Sequence, residues 1–219
     1  MNIVFAGECG TGKSSLINLI IGRDVAKTSN DTAACTTEVQ SYKVSIDGCN
    51  LELWDTPGFD EGSTTRPNTR SSEALVKSLF RLKNKGGIHL LVYCMQGSRA
   101  KAAHLKHYEI IRDLLSPAVP VVAIVTRLER YQDHMEDWWS NNAQELASHG
   151  MNFADHACIT TVPDYHKLPR SFQERLIYSQ RTVRDMIHRN CLLHLPPVKF
   201  PTALIPEPAM CGQKVRVNS

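Results

Sequence analysis

The chain has 219 residues, 42% of them hydrophobic, and a formal net charge of +3, which fits one compact domain with a tail. Its basic residues are spread rather than massed, arguing against a nucleic-acid partner. No apolar run reaches the ~18 residues that suggest a membrane-spanning helix, so no transmembrane segment is expected, and nothing added to the domain supports peripheral membrane contact. The seven cysteines form no C-x-x-C pair. Zinc or a disulfide framework is therefore not expected, and a reducing interior fits better. The start "NIVFAG" lacks a charged segment followed by an apolar h-region, so the expected location is cytoplasmic.

Strands and helices alternate along the chain. "NIVFA" (2–6) reads as a strand and "SSLINLIIG" (14–22) as a helix stopped by Gly22. "VQSYKVSID" (39–47) alternates at period two, and Asp47-Gly48 offers a hairpin turn into "NLELWD" (50–55). "SEALVKSLFRLK" (72–83) spaces Leu75, Leu79 and Leu82 as a helix does. "IHLLVYCM" (88–95) is a strand, "HLKHYEIIRDLL" (104–115) a helix, and "VPVVAIVT" (119–126) a strand. "MEDWWSNNAQELASHG" (135–150) is a helix and "HACITT" (156–161) a short strand. "RSFQERLIYSQRTVRDMIHRN" (170–190) is a long helix with Phe172, Leu176, Val183 and Ile187 on one stripe. Residues 1–194 make the domain, and 195–219 are a Pro-rich tail that cannot form a long helix. This alternation indicates an α/β sheet covered by helices on both faces, with one antiparallel pair. Ligands of such sheets bind beyond the carboxyl ends of the strands.

The residues just past each strand carry the chemistry. "GECGTGKS" after the first strand has P-loop spacing, Gly7-x-x-x-x-Gly12-Lys13-Ser14, between a strand and a helix. Its backbone from Glu8 through Cys9, Gly10, Thr11 and Gly12 to Ser15 is expected to cradle phosphates. Lys13 would add a positive charge, and the Ser14 hydroxyl could ligate Mg²⁺. "WDTPGFD" ends the third strand with Asp55, where an NTPase holds its metal, and Gly58 could bring its N–H to a γ-phosphate. "DTPG" alone could be an ordinary turn. Between them, "TAACTTEV" (32–39) offers Thr36 or Thr37 to close over the metal and the γ-phosphate; pattern alone does not choose. After the fifth strand, Thr126-Arg127-Leu128-Glu129 places a carboxylate that can accept from the ring N–H and exocyclic amine of guanine, with the stem of Arg127 over the base. A solvated loop is the alternative. Thr160, in "CITT" (158–161), lies where a further loop would touch the base.

With these stretches in place, the chain resembles a P-loop GTPase (a G domain) of the translation-factor-related class. It is similar to septin-like and Toc/AIG-type GTPases, and closest to stand-alone G domains of fungal genomes. "GECGTGKSSLINLI", "CTTEVQ", "LWDTPGFDEG" and "VTRLE" followed by "MEDWW" carry the likeness, over residues 1–161. The resemblance implies a three-layer P-loop NTPase fold with a mostly parallel six-stranded sheet. It further implies GTP or GDP as ligand, Mg²⁺ as cofactor, and switch loops near 28–38 and 56–70. It favours Thr36 over Thr37, gives Lys13, Thr36 and Gly58 to catalysis, and gives Ser14, Thr36 and Asp55 to the metal. Nucleotide-dependent homodimers are frequent in the family.

Two departures matter. The base motif of the family reads Asn/Thr-Lys-x-Asp; here Arg127 replaces Lys and the longer Glu129 replaces Asp. Ras-like GTPases place a water-orienting glutamine after Asp-x-x-Gly, whereas this chain has Phe59, whose side chain has no hydrogen-bonding atom. Slow hydrolysis is expected, with charge from Arg66, Arg70 or Arg99, in cis or across a dimer, as candidates. The competing readings are a non-catalytic GTP-dependent assembly module and, with less support, a P-loop ATPase or kinase, for which no acceptor site or basic lid is visible. The arginines of the last helix (170, 175, 181, 184 and 189) could meet anionic lipid or be a solvated face.

Overall fold

The computed structural model describes residues 1–28, 39–46, 48–59, 76, 77, 79, 82, 86–97, 102–162 and 167–192. The elements run β1 (Asn2–Gly7), α1 (Lys13–Ile21), β2 (Gln40–Ile46), β3 (Cys49–Asp55), β4 (Leu90–Gln96), α2 (Ala102–Leu114), β5 (Val121–Thr126), α3 (Asp137–Ser148), β6 (Asp155–Cys158) and α4 (Arg170–Leu192). Between β3 and β4, positions 76, 77, 79 and 82 are helical, as the spacing of the 72–83 segment predicts. The Pro-rich tail from 195 lies outside the described residues.

The sheet order is β2-β3-β1-β4-β5-β6. Among the described strands only β2 and β3 pair antiparallel, from Gln40↔Asp55 to Ile46↔Cys49. The central strands are apolar at nearly every position because both faces of the sheet are covered. Successive side chains of β1 point to opposite faces. Val4 and Ala6 pack with Tyr108 and Ile111 of α2 and Trp138 and Leu146 of α3. Ile3 and Phe5 pack with Leu16, Ile17 and Ile20 of α1 and Val183, Met186 and Ile187 of α4. Each buried Leu, Ile or Val contributes about 1.5–3 kcal/mol, so β1 is anchored from both sides. β1 lies between β3 and β4, where the chain order reverses, and the loop after it opens at that crevice.

Three differences from the sequence expectation have local causes. β5 begins at Val121 rather than 119 because Pro120 has no N–H for the ladder; its carbonyl accepts from Leu91 N at 3.0 Å. β6 ends at Cys158 because Thr160 turns its N–H out of the ladder to Ser179 Oγ, 3.0 Å away. On α4 the buried stripe is Ser179, Val183, Met186, Ile187, Asn190 and Cys191. Phe172 and Leu176 are only half-buried, since the first turns of this helix run beside the loop after β5 rather than over the core.

Candidate nucleotide-binding site

β1 delivers the chain into a loop that turns sharply at Gly12, whose φ of 85° in the left-handed region suits glycine. α1 starts at Lys13, beside the sheet edge. The Lys13 ammonium is buried and donates to Gly7 O at 3.2 Å and Glu8 O at 2.9 Å. Burial lowers its pKa, against the opposing pull of the negative charges of Asp55 and Glu8. Ser14 Oγ donates to Asp55 Oδ2 at 2.6 Å, while Asp55 Oδ1 is buried without a hydrogen-bond partner among the described residues. Burial raises the pKa of Asp55, and the Ser14 hydrogen bond and the Lys13 charge oppose the rise. β3 brings Asp55 there because its register places it against Phe5 of β1.

The segment after β3 is zipped onto the same loop. Phe59 N donates to Gly7 O at 3.1 Å and Cys9 N to Phe59 O at 2.8 Å. A side chain at Gly58 could not fit this approach, since a Cβ there would sit 2.6 Å from Cys9 N and Cα. Phe59 itself points inward. It is 2% exposed and stacks on the His107 ring of α2, with centroids 4.2 Å apart and planes at 6°. His107 Nδ1 lies 3.5 Å from Glu8 Oε1, and both side chains are buried. The Glu8 side chain thus faces the interior, leaving only its backbone to the loop. Cys49, Cys94, Cys158 and Cys191 are free thiols.

The end of β5 is tied to the loop between β1 and α1. Thr126 Oγ1 lies 2.8 Å from Thr11 O and 3.2 Å from Met95 O. Arg127 has φ 63°, unusual for a residue with a side chain. That turn sends its guanidinium back to donate to Gly10 O at 2.9 Å. Gln96, at the end of β4, donates to the same carbonyl at 3.2 Å. Two residues on, Glu129 Oε2 accepts from Thr160 Oγ1 at 3.2 Å. The phosphate loop, the Asp55 strand end, the 126–129 loop and Thr160 therefore share one edge of the sheet.

The model of a family described as 50S ribosome-binding GTPase matches residues 2–127. The chain belongs to this GTPase family. It is 24% identical over 136 residues to the GTPase Der of Campylobacter curvus, covering 62% of this chain and 27% of that protein. The chain thus spans about a quarter of the length of that relative. Among solved structures, a GTP-binding protein of Sulfolobus solfataricus in complex with GDP has TM-score 0.57 at 16% identity, covering 88% of this chain and 52% of that one. Toc33 of Arabidopsis thaliana, as a dimerization-deficient mutant, has TM-score 0.63 at 15% identity, covering 87% and 82%.

In this chain the predicted site residues from Gly7 to Ser15, with Asp55, Gly58, Thr126, Arg127, Glu129 and Thr160, come together at one edge. Thr36, Thr37, Arg66, Arg70 and Arg99 lie outside the described residues. Sequence reasoning missed Gln96, His107, Arg175 and Ser179. None of the four belongs to a motif; each reaches the site from another element, the last two from α4. None of the described helices is long and apolar enough to cross a membrane.

Proposed function

We propose that this chain binds GTP and hydrolyses it slowly with Mg²⁺, its switch loops responding to the γ-phosphate. The observation that carries this reading is the pair of ties from the base loop to the phosphate loop, Thr126 to Thr11 O and Arg127 to Gly10 O. They join a phosphate cradle to a carboxylate, Glu129, suited to guanine. Arg127 donates to a loop carbonyl as a lysine could, so the departure from the family pattern keeps the tie. Backbone N–H groups at the start of α1 and Lys13 would take the phosphates. Ser14 and Asp55 would hold Mg²⁺, which prefers oxygen ligands and commonly completes its shell with water and phosphate. Asp55 Oδ1, which has no hydrogen-bond partner among the described residues, fits that demand. The bound ion would neutralise phosphate charge.

The orientation of Phe59 favours a second component. Its ring is held against His107, so it has no part in orienting water. Hydrolysis would then depend on backbone groups or on a partner, as in a nucleotide-dependent homodimer. A GTP-dependent assembly module without catalysis is the alternative, and single-turnover hydrolysis at increasing protein concentration separates the two. Affiliation with septin-like, Toc/AIG-type or fungal stand-alone domains, and a cytoplasmic location, remain proposals of the same kind.

The base reader is tested with Glu129→Gln. The amide oxygen can accept from Thr160 Oγ1, leaving the amide N–H₂ toward the base. Guanine's amine would then face a donor, whereas the 2-carbonyl of xanthine would accept from it. GTP binding should fall by about tenfold or more, as expected for a lost charge-assisted hydrogen bond, and xanthosine triphosphate binding should rise. An unchanged ranking of GTP, xanthosine triphosphate and ATP would reject guanine reading by Glu129.

A further inference from the structure

The five arginines of α4 do not form one free basic face. Arg170 and Arg181 pair with Glu174 and Asp185 one turn along the helix, and Arg189 pairs with Asp155. Arg184 donates to Ile20 O at the end of α1 through Nε at 2.9 Å and Nη2 at 2.6 Å. A lipid-facing role for the set has no support in this arrangement.

Arg175 differs from the others. Its Nη1 donates to Leu128 O at 2.9 Å and Glu129 O at 3.2 Å. Its Nη2 donates to Tyr131 O at 2.8 Å and Asp133 O at 3.1 Å. All four Nη hydrogens therefore serve carbonyls of the segment that carries Glu129. One turn along, Ser179 Oγ is fully buried, donates to Arg175 O at 2.7 Å and accepts from Thr160 N at 3.0 Å. Thr160 Oγ1 in turn donates to Glu129 Oε2. Two residues on one face of α4 thus fix Glu129 twice, by its backbone and by its side chain.

We propose that Arg175 and Ser179 are positioning residues for base recognition, bracing the Glu129 carboxylate so that it meets the ring N–H and exocyclic amine of guanine. This rests on the reading of Glu129 as the base-reading group. A planar guanidinium with fixed donor directions imposes a spacing on the carbonyls it binds; an ammonium at one point cannot span them. Glutamate has one more rotatable bond than the aspartate of the family pattern. Its freedom would be lost on binding unless it were already held. The brace supplies that preorganisation from an element outside the base motif.

The test compares the full wild-type chain with Arg175→Lys, Arg175→Ala, Ser179→Ala and Glu129→Ala. Affinities are measured for GTP, for inosine triphosphate, which lacks the 2-amino group, and for ATP, with thermal melts alongside. The decisive readout is the ratio of inosine triphosphate to GTP dissociation constants. A merely structural role would weaken both nucleotides alike and leave the ratio unmoved. The ratio should drop about tenfold in both Arg175 variants and less in Ser179→Ala, while affinity for ATP stays unchanged. If Arg175→Ala does not fold, Arg175→Lys and Ser179→Ala carry the comparison. If Glu129→Ala collapses the ratio while the folded Arg175 and Ser179 variants keep it, the bracing role is overturned and the base reader stands. If wild type and Glu129→Ala show the same ratio, the base reader itself fails, and the bracing role with it.

Discussion

Ser14 Oγ and Asp55 Oδ2 lie 2.6 Å apart, joining the first turn of α1 to the last residue of β3. The relationship makes a pH prediction. Because burial raises the pKa of Asp55, its carboxylate protonates at higher pH than a solvated one. Protons and Mg²⁺ compete for the same oxygens. The Mg²⁺-dependent part of nucleotide affinity should therefore decline on acidification earlier than an ordinary aspartate would allow. For the free protein the sign is opposite. The raised pKa favours folding below the unfolded value, and that contribution is lost as pH rises through the folded pKa. Asp55→Asn should remove both dependences. Mg²⁺ titrations of fluorescent GTP at stepped pH measure the first effect, and a pH-independent Mg²⁺ contribution in wild type would contradict it.

Lys13→Ala should abolish tight triphosphate binding. Each charge-assisted hydrogen bond contributes about 1.5–3 kcal/mol, so losing one costs at least a decade in affinity. Ser14→Ala should harm mainly the binding that depends on Mg²⁺, because its hydroxyl acts through the ion. Comparing dissociation constants with Mg²⁺ and with a chelator separates the two, and wild-type affinity in both variants would remove the phosphate-loop assignment.

Phe59→Ala should act on stability rather than on chemistry. Emptying the space beside His107 should cost about 3–5 kcal/mol, as for other buried Phe→Ala changes. Phe59→Leu, closer in volume, should cost less than Phe59→Ala and leave single-turnover hydrolysis within about twofold per folded molecule, or ~0.4 kcal/mol on the barrier. Denaturant melts and quench kinetics report the two separately. A hundredfold loss of rate in well-folded Phe59→Leu would give this side chain a role at the reacting centre.

Thr36→Ala should weaken the response to a GTP analogue more than binding of GDP, since the proposed contact needs the γ-phosphate. Protease cleavage within residues 28–38 should be suppressed by the analogue in wild type but not in the variant. Should Thr37→Ala show this behaviour in place of Thr36→Ala, the assignment passes to Thr37.

The sequence by itself determined the order of strands and helices, the antiparallel pairing of β2 with β3 and the glycine-rich loop before α1. These arise from spacing among neighbours: period two in β2, period near 3.6 in α1, and glycines at fixed offsets before Lys13. The placement of Asp55 and Glu129 at the same edge of the sheet was also legible, because each ends or trails a readable strand by a few residues. Only the tertiary structure decided the inward turn of Phe59, the pairing of Glu8 with His107, and the sorting of the α4 arginines. Arg175 reaches carbonyls 42–47 residues earlier in the chain, and backbone carbonyls leave no mark in a sequence. On the helix alone, Arg175 and Arg181 look alike. Where a flexible charged side chain ends is set by which unsatisfied groups the packed elements bring within its reach.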